Sequence, residues 1–95
     1  MSLTPDVILA RVRRVPPGYV TTYGDLSPGA PRLAGRVLSH LPDGHDVPWW
    51  RVVRSDGSLA VGSRQRELLL EEDVPIRASG RIDLAAARIP PEVIQ

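Results

Sequence analysis

Val47-Pro48-Trp49-Trp50-Arg51-Val52-Val53 holds both tryptophans of a chain that contains no phenylalanine. A short apolar run rich in Val and Trp, closed by Arg54-Ser55-Asp56-Gly57, reads as a buried strand running into a turn. Pro48 disfavours a regular helix at this point and favours an extended approach to the aromatics. Alternation along such a strand sends Trp49 and Trp50 to opposite faces. Packing of both in the core is the plainer alternative.

Working outward, Arg54-Ser55-Asp56-Gly57-Ser58 has the Asp-Gly signature of a hairpin, with Leu59-Ala60-Val61 as the return strand. Gly62-Ser63 ends that strand. Ser63 can cap a helix from Arg64 to Glu72, with Leu68 and Leu69 towards the core. Upstream, Leu41-Pro42-Asp43-Gly44-His45-Asp46 is a loop. His45 and Asp46, even with His40 nearby, make neither a convincing metal site nor an acid–base pair.

The helix before that loop starts with Pro31, which suits a first helical position. Leu33, Ala34, Val37, Leu38 and Leu41 recur with helical period on one face. Arg32, Gly35, Arg36 and Ser39 recur on the other. Gly35 costs ~1 kcal/mol of helix propensity relative to Ala. Close approach of another backbone, such as a DNA strand, is one physical return for that cost. An ordinary amphipathic helix with a solvated arginine face is the other reading.

Earlier still, Thr22 and Asp25 form a capping box that starts a short helix near Tyr23. Ser27-Pro28-Gly29-Ala30-Pro31 breaks it. At the N-terminus, Thr4-Pro5-Asp6 opens a helix whose apolar face is Val7, Ile8 and Val12. Arg11, Arg13 and Arg14 close its last turns as a solvated, dipole-compensating face. Val15-Pro16-Pro17-Gly18 stops it. At the other end, the Pro- and Ala-rich stretch after Leu84 is expected to lie along the surface.

Ninety-five residues suit one domain with a modest core, residues 1–95. No apolar run is long enough to span a bilayer and no signal-peptide pattern is visible, so a soluble, cytoplasmic protein without membrane association is expected. The absence of cysteine excludes a disulfide framework, a thiolate metal site and a thiol nucleophile. No cofactor or metal is expected. A net charge of +1 does not by itself indicate nucleic acid. All twelve basic residues are arginine, a side chain suited to stacking and bidentate contacts, although a coding bias gives the same composition.

Three stretches together resemble the O6-alkylguanine-DNA alkyltransferases, and more closely the alkyltransferase-like proteins in which Trp replaces the acceptor Cys. Pro48-Trp49-Trp50-Arg51-Val52-Val53 is similar to the family's Pro-Cys-His-Arg-Val segment, with Trp49 at the cysteine position and Trp50 where His or Gln is usual. Arg32-Leu33-Ala34-Gly35-Arg36-Val37-Leu38 is similar to its recognition helix, Arg-Xaa-Val-Gly-Xaa-Xaa-Leu. Val20-Thr21-Thr22-Tyr23-Gly24-Asp25-Leu26 and Gly80-Arg81-Ile82-Asp83-Leu84 match further family segments. The likeness spans roughly Val7 to Leu84.

The fold it implies is mainly α with a small β-hairpin: a winged-helix-like helix-turn-helix resembling the C-terminal domain of those alkyltransferases. The function it implies is non-enzymatic binding of duplex DNA containing O6-alkylguanine by base flipping. The lesion would be marked for nucleotide excision repair, with repair proteins as further partners and the protein a nucleoid-associated monomer. Arg32 would be the finger filling the vacated stack. A shifted register would put Gly35 there, but the Arg32 register runs without a gap to Leu41-Pro42-Asp43-Gly44. Tyr23 would press on the phosphate beside the flipped nucleotide, with Gly35, Arg36 and Ser39 completing the DNA-binding face. Trp49, Arg51, Val61, Gly62 and Arg64 would form the lesion pocket, behind a shortened loop. A module binding undamaged DNA and a family member reduced to protein–protein interaction are the competing functions.

Overall fold

Helix α1 runs from Pro5 to Arg13 in a computed structural model that describes residues 3–95. The side chain of Thr4 caps it by accepting the Val7 N–H at 3.2 Å, and Ile8 and Val12 are fully buried. Its arginines are not a merely solvated face. Arg11 donates to the Leu26 carbonyl at 2.8 Å, Arg14 to the Ile94 carbonyl at 2.9 Å, and Arg13 pairs with Asp46 at 3.0 Å. Each one ties α1 to a different part of the chain.

Strand β1, Thr21–Thr22, leads directly into α2, Tyr23–Leu26. The Thr22 hydroxyl accepts the Asp25 N–H at 3.1 Å, the first half of the capping box. The reciprocal half is absent, because the Asp25 carboxylate makes a two-pronged contact with Arg88 at 2.7 and 2.8 Å. Helix α3, Pro31–Ser39, packs on α1 and α2 through Ala34, which is buried, and through Leu33, Val37 and Leu38. The two-helix unit expected from the periodicity is therefore present.

The hairpin is not. Residues Trp49–Arg51 form a single 3₁₀ turn immediately after Pro48, and only Val52–Val53 is extended, as β2. Strand β2 pairs in parallel with β1, Thr21 opposite Val52 and Thr22 opposite Val53. The turn after it forms as read, closed by the Gly57 N–H to the Arg54 carbonyl at 2.8 Å. Leu59-Ala60-Val61, however, makes no return strand. The Gly57 carbonyl is taken by the Ile82 N–H at 2.9 Å, and Gly57 sits at φ +83° with its α-carbon pressed against the Ile82 backbone. A local pairing has lost to two distant ones.

Helix α4 spans Ser63–Glu71. Ser63 is its first residue and not its cap; Gly62 holds the cap position at φ +73°, and no side chain bonds there. Leu69 is buried as expected, Leu68 only half so, and the fully buried polar residue is Gln65. The C-terminal stretch also departs from expectation. Helices α5, Leu84–Ala87, and α6, Pro91–Ile94, place Ala87, Ile89 and Ile94 in the core. Val20 is paired on both sides with this stretch, donating to the Ala87 carbonyl at 2.9 Å and accepting from the Ile89 N–H at 2.8 Å. The tail thus extends the β1–β2 seam instead of lying along the surface.

Candidate nucleic-acid interface

The pyrrolidine of Pro31 and the small residues around it expose the first turns of α3. Arg32 and Arg36 are exposed, and their guanidinium groups make no hydrogen bond or ion pair among the described residues. A β-carbon added at Gly35 would meet nothing within 4 Å, so the helix surface between them is open. The two arginines diverge. Arg32 and Gly35 line a shallow cleft of about 240 Å³ with Tyr23, Pro31, Arg54 and Ala60. Arg36 borders another, of about 400 Å³, with Pro5, Leu9 and Leu41 among its neighbours.

Arg54 is a member of the Arg32 cleft that the sequence did not disclose, since it reads there as a turn residue. Burial raises the Tyr23 phenol pKa, against a smaller opposing effect of the Arg54 charge, so the hydroxyl is a neutral donor over the whole physiological range. The cleft therefore gathers two guanidinium groups, a phenol and a bare stretch of helix, a set suited to phosphate and sugar.

Behind α3 lies a second concavity, of about 340 Å³, lined by Leu38, Ser39, Leu41, His45, Trp49 and Val61. It is mainly apolar, and Trp49 supplies its aromatic wall. Ser39 faces this cavity and not the arginine stripe, its hydroxyl donating back to the Arg36 carbonyl at 2.8 Å. His45 enters it from the loop.

The wall is held from behind. Trp50 meets Trp49 edge to face, ring centroids 5.9 Å apart and planes at 89°. The Trp50 indole N–H donates to Glu72 at 3.1 Å. Arg51 stacks over the Trp50 ring at 5.3 Å and forks onto the same carboxylate through its Nε at 3.0 and 3.2 Å. It also donates to the Val15 carbonyl at 2.9 Å. Burial pushes the Glu72 carboxyl pKa up, but the hydrogen bonds from Arg51 and Trp50 and the Arg51 charge outweigh it and leave the pKa below its usual value. Arg51 is consequently a strut of the wall and does not line the cavity, contrary to its expected place in a pocket.

Gln65 does the same for the opposite side. Its amide nitrogen donates to the Trp50 carbonyl at 3.1 Å and to that of Val52 at 2.7 Å, while its oxygen accepts the Val61 N–H at 3.2 Å. One buried side chain thus fixes both the tryptophan turn and Val61. Sequence reasoning missed it, because a lone Gln on a polar-looking helix carries no signal. Gly62 and Arg64 stand next in the chain but outside the cavity lining, with Arg64 exposed and 3.7 Å from Glu67. Among the described residues no group of three His, Asp or Glu side chains converges as a metal site would require. No helix among them is long and apolar enough to cross a membrane.

A short helix-turn-helix with a free arginine at the start of its second helix, backed by an apolar aromatic-walled cavity, defines a small DNA-binding domain of the kind found in alkyl-damage proteins. The comparisons with known proteins agree. The family model described as the 6-O-methylguanine DNA methyltransferase DNA-binding domain matches residues 5–74. The chain is 43% identical over 93 residues to the DNA base-flipping protein of Escherichia coli, covering 88% of this chain and 72% of that protein. It is 36% identical over 76 residues to alkyltransferase-like protein 1 of Schizosaccharomyces pombe, covering 68% and 70%. The crystal structure of S. pombe Atl1 in complex with damaged DNA containing O6-carboxymethylguanine superposes with a TM-score of 0.77 at 27% identity, over 90% of this chain and 94% of that one. The chain belongs to the 6-O-methylguanine DNA methyltransferase DNA-binding family, and its fold is that of the alkyltransferase-like proteins.

Proposed function

We propose that this protein binds duplex DNA at an O6-alkylated guanine, rotates the damaged base out of the stack and holds its alkyl group against Trp49, without removing it. The observation that carries this reading is the apolar cavity walled by Trp49 directly behind the helix that presents Arg32. A lesion on the pairing edge can only be inspected outside the duplex, at a cost of a few kcal/mol that a weakened base pair lowers. Arg32 fills the vacated space, Tyr23 and Arg54 engage the neighbouring phosphates, and Gly35 lets the strand come close. Trp49 offers a flat apolar face where an acceptor thiol would stand, and the 95 residues contain no cysteine to accept an alkyl group. The output is then a marked lesion, which suits delivery to nucleotide excision repair.

The names of the relatives, a DNA base-flipping protein and an Atl1 bound to damaged DNA, support this reading. Flipping is tested with 2-aminopurine placed next to O6-methylguanine, whose fluorescence rises when stacking is lost. The wild-type protein should raise it and Arg32→Ala should not. An equal rise with Arg32→Ala would remove Arg32 from the finger role.

A further inference from the structure

The cavity behind α3 is apolar except at one side, and that side is set by a loop. The His45 N–H closes a turn onto the Pro42 carbonyl at 3.3 Å, with Gly44 at φ +77°. The ring Nδ1 then accepts the Val47 N–H at 3.2 Å. A nitrogen that accepts carries no proton, so in the neutral imidazole the proton is on Nε2. That N–H has no partner among the described residues and diverges from the backbone bond. The loop thus fixes both the place and the tautomer of a hydrogen-bond donor at the cavity.

The other lining groups supply little of the kind. Leu38, Leu41 and Val61 have no polar side-chain atom. Ser39 has its hydroxyl proton on the Arg36 carbonyl. The indole N–H of Trp49 is the remaining donor. Resting on the reading of this cavity as the seat of the alkyl group, we propose that His45 makes the protein selective for O6-alkyl groups that end in a hydrogen-bond acceptor over apolar groups of the same size. An oxygen at the end of the adduct meets the Nε2–H of His45, which is otherwise exposed to water; a methyl in its place covers that N–H and gives it no partner, which is the costly arrangement.

The test uses three duplexes identical but for one base: O6-(2-hydroxyethyl)guanine, its near-isostere O6-propylguanine, or guanine. Equilibrium affinities are measured for the wild-type protein, His45→Leu and His45→Gln. The hydroxyethyl-to-propyl affinity ratio should fall about fivefold or more in His45→Leu, the worth of about one hydrogen bond, with propyl affinity held or improved. His45→Gln, which keeps a side-chain N–H, should recover part of the ratio. A ratio unchanged by His45→Leu would overturn the proposal and assign any polar preference to Trp49, leaving lesion binding intact. Failure of the wild-type protein to prefer either adduct over guanine would overturn the lesion reading together with it.

Discussion

Trp49 and Trp50 are chain neighbours with different tasks, and a 3₁₀ turn, not strand alternation, separates them. Trp49 keeps a face on the cavity, while Trp50 packs with the core group around Leu69 and ties its indole N–H to Glu72. That the two rings would face different ways was legible in the sequence, but the cause was not. Gly57 shows the same contrast. Asp-Gly announced a turn correctly, yet the reason for glycine is the packing of a distant segment. A β-carbon there would stand 2.6 Å from the Ile82 carbonyl oxygen, at a φ of +83° that side chains avoid. Gly57→Ala should therefore cost roughly 2 to 4 kcal/mol in chemical denaturation, more than a turn glycine on an open surface. A loss under about 1 kcal/mol would mean the tail is not held there.

At the scale of elements, α3 carries a trade between stability and binding. Nothing stands within 4 Å of a β-carbon at Gly35, and the residue is inside the helix. Gly35→Ala should raise folding stability by up to about 1 kcal/mol and weaken DNA binding, because the methyl occupies the surface the strand must reach. Stability and affinity rising together would remove the close approach from the account. The helix faces that reveal this were readable because helical period is local. The β1–β2 pairing was not, since a two-residue parallel contact across some thirty intervening residues leaves no pattern.

The seam between α4 and the tryptophan turn gives a pH signature. Glu72 has a lowered carboxyl pKa in the folded protein, so its contribution to stability is present above the unfolded-state value and is lost as pH falls through the folded one. Stability should decline from about pH 5 downward. Arg51 and Glu72 side chains are only 12% and 15% exposed, so Glu72→Gln should cost about 3 kcal/mol near neutral pH by leaving Arg51 unpaired. It should also flatten the acid slope. A variant with the wild-type slope would place the titration elsewhere.

For the whole molecule, the unexpected feature is the C-terminal stretch. Its large apolar residues, Leu84, Ile89, Val93 and Ile94, are interspersed with Pro and Ala that mask any period, so composition pointed to the surface. Tertiary contacts decide otherwise: Ile94 is fully buried, Arg14 holds its carbonyl, and Arg88 clamps Asp25 of α2. The stretch braces the helix-turn-helix from behind. Ile94→Ala should cost about 3 kcal/mol, a large share of what a chain this size possesses; a change within about 0.5 kcal/mol would return the tail to the surface. Net charge is equally uninformative by itself. Among the twelve arginines, Arg11, Arg13, Arg14, Arg51 and Arg88 are held by distant parts of the fold, and Arg64 and Arg81 stand against Glu67 and Asp56. Arg32 and Arg54 share one cleft beside α3, a local cationic face on a nearly neutral molecule, while Arg36 borders a separate cleft.

That face and the cavity behind it converge on one claim, that the protein distinguishes an O6-alkylated guanine from guanine. The direct measurement is the affinity for a short duplex with a single O6-methylguanine against the same duplex with guanine, at one stated salt concentration, for the wild-type protein and Trp49→Ala. The wild-type protein should bind the lesion more tightly, and Trp49→Ala should lose most of that preference. Equal affinity of the wild-type protein for the two duplexes would contradict it and leave a domain that binds DNA without regard to alkylation.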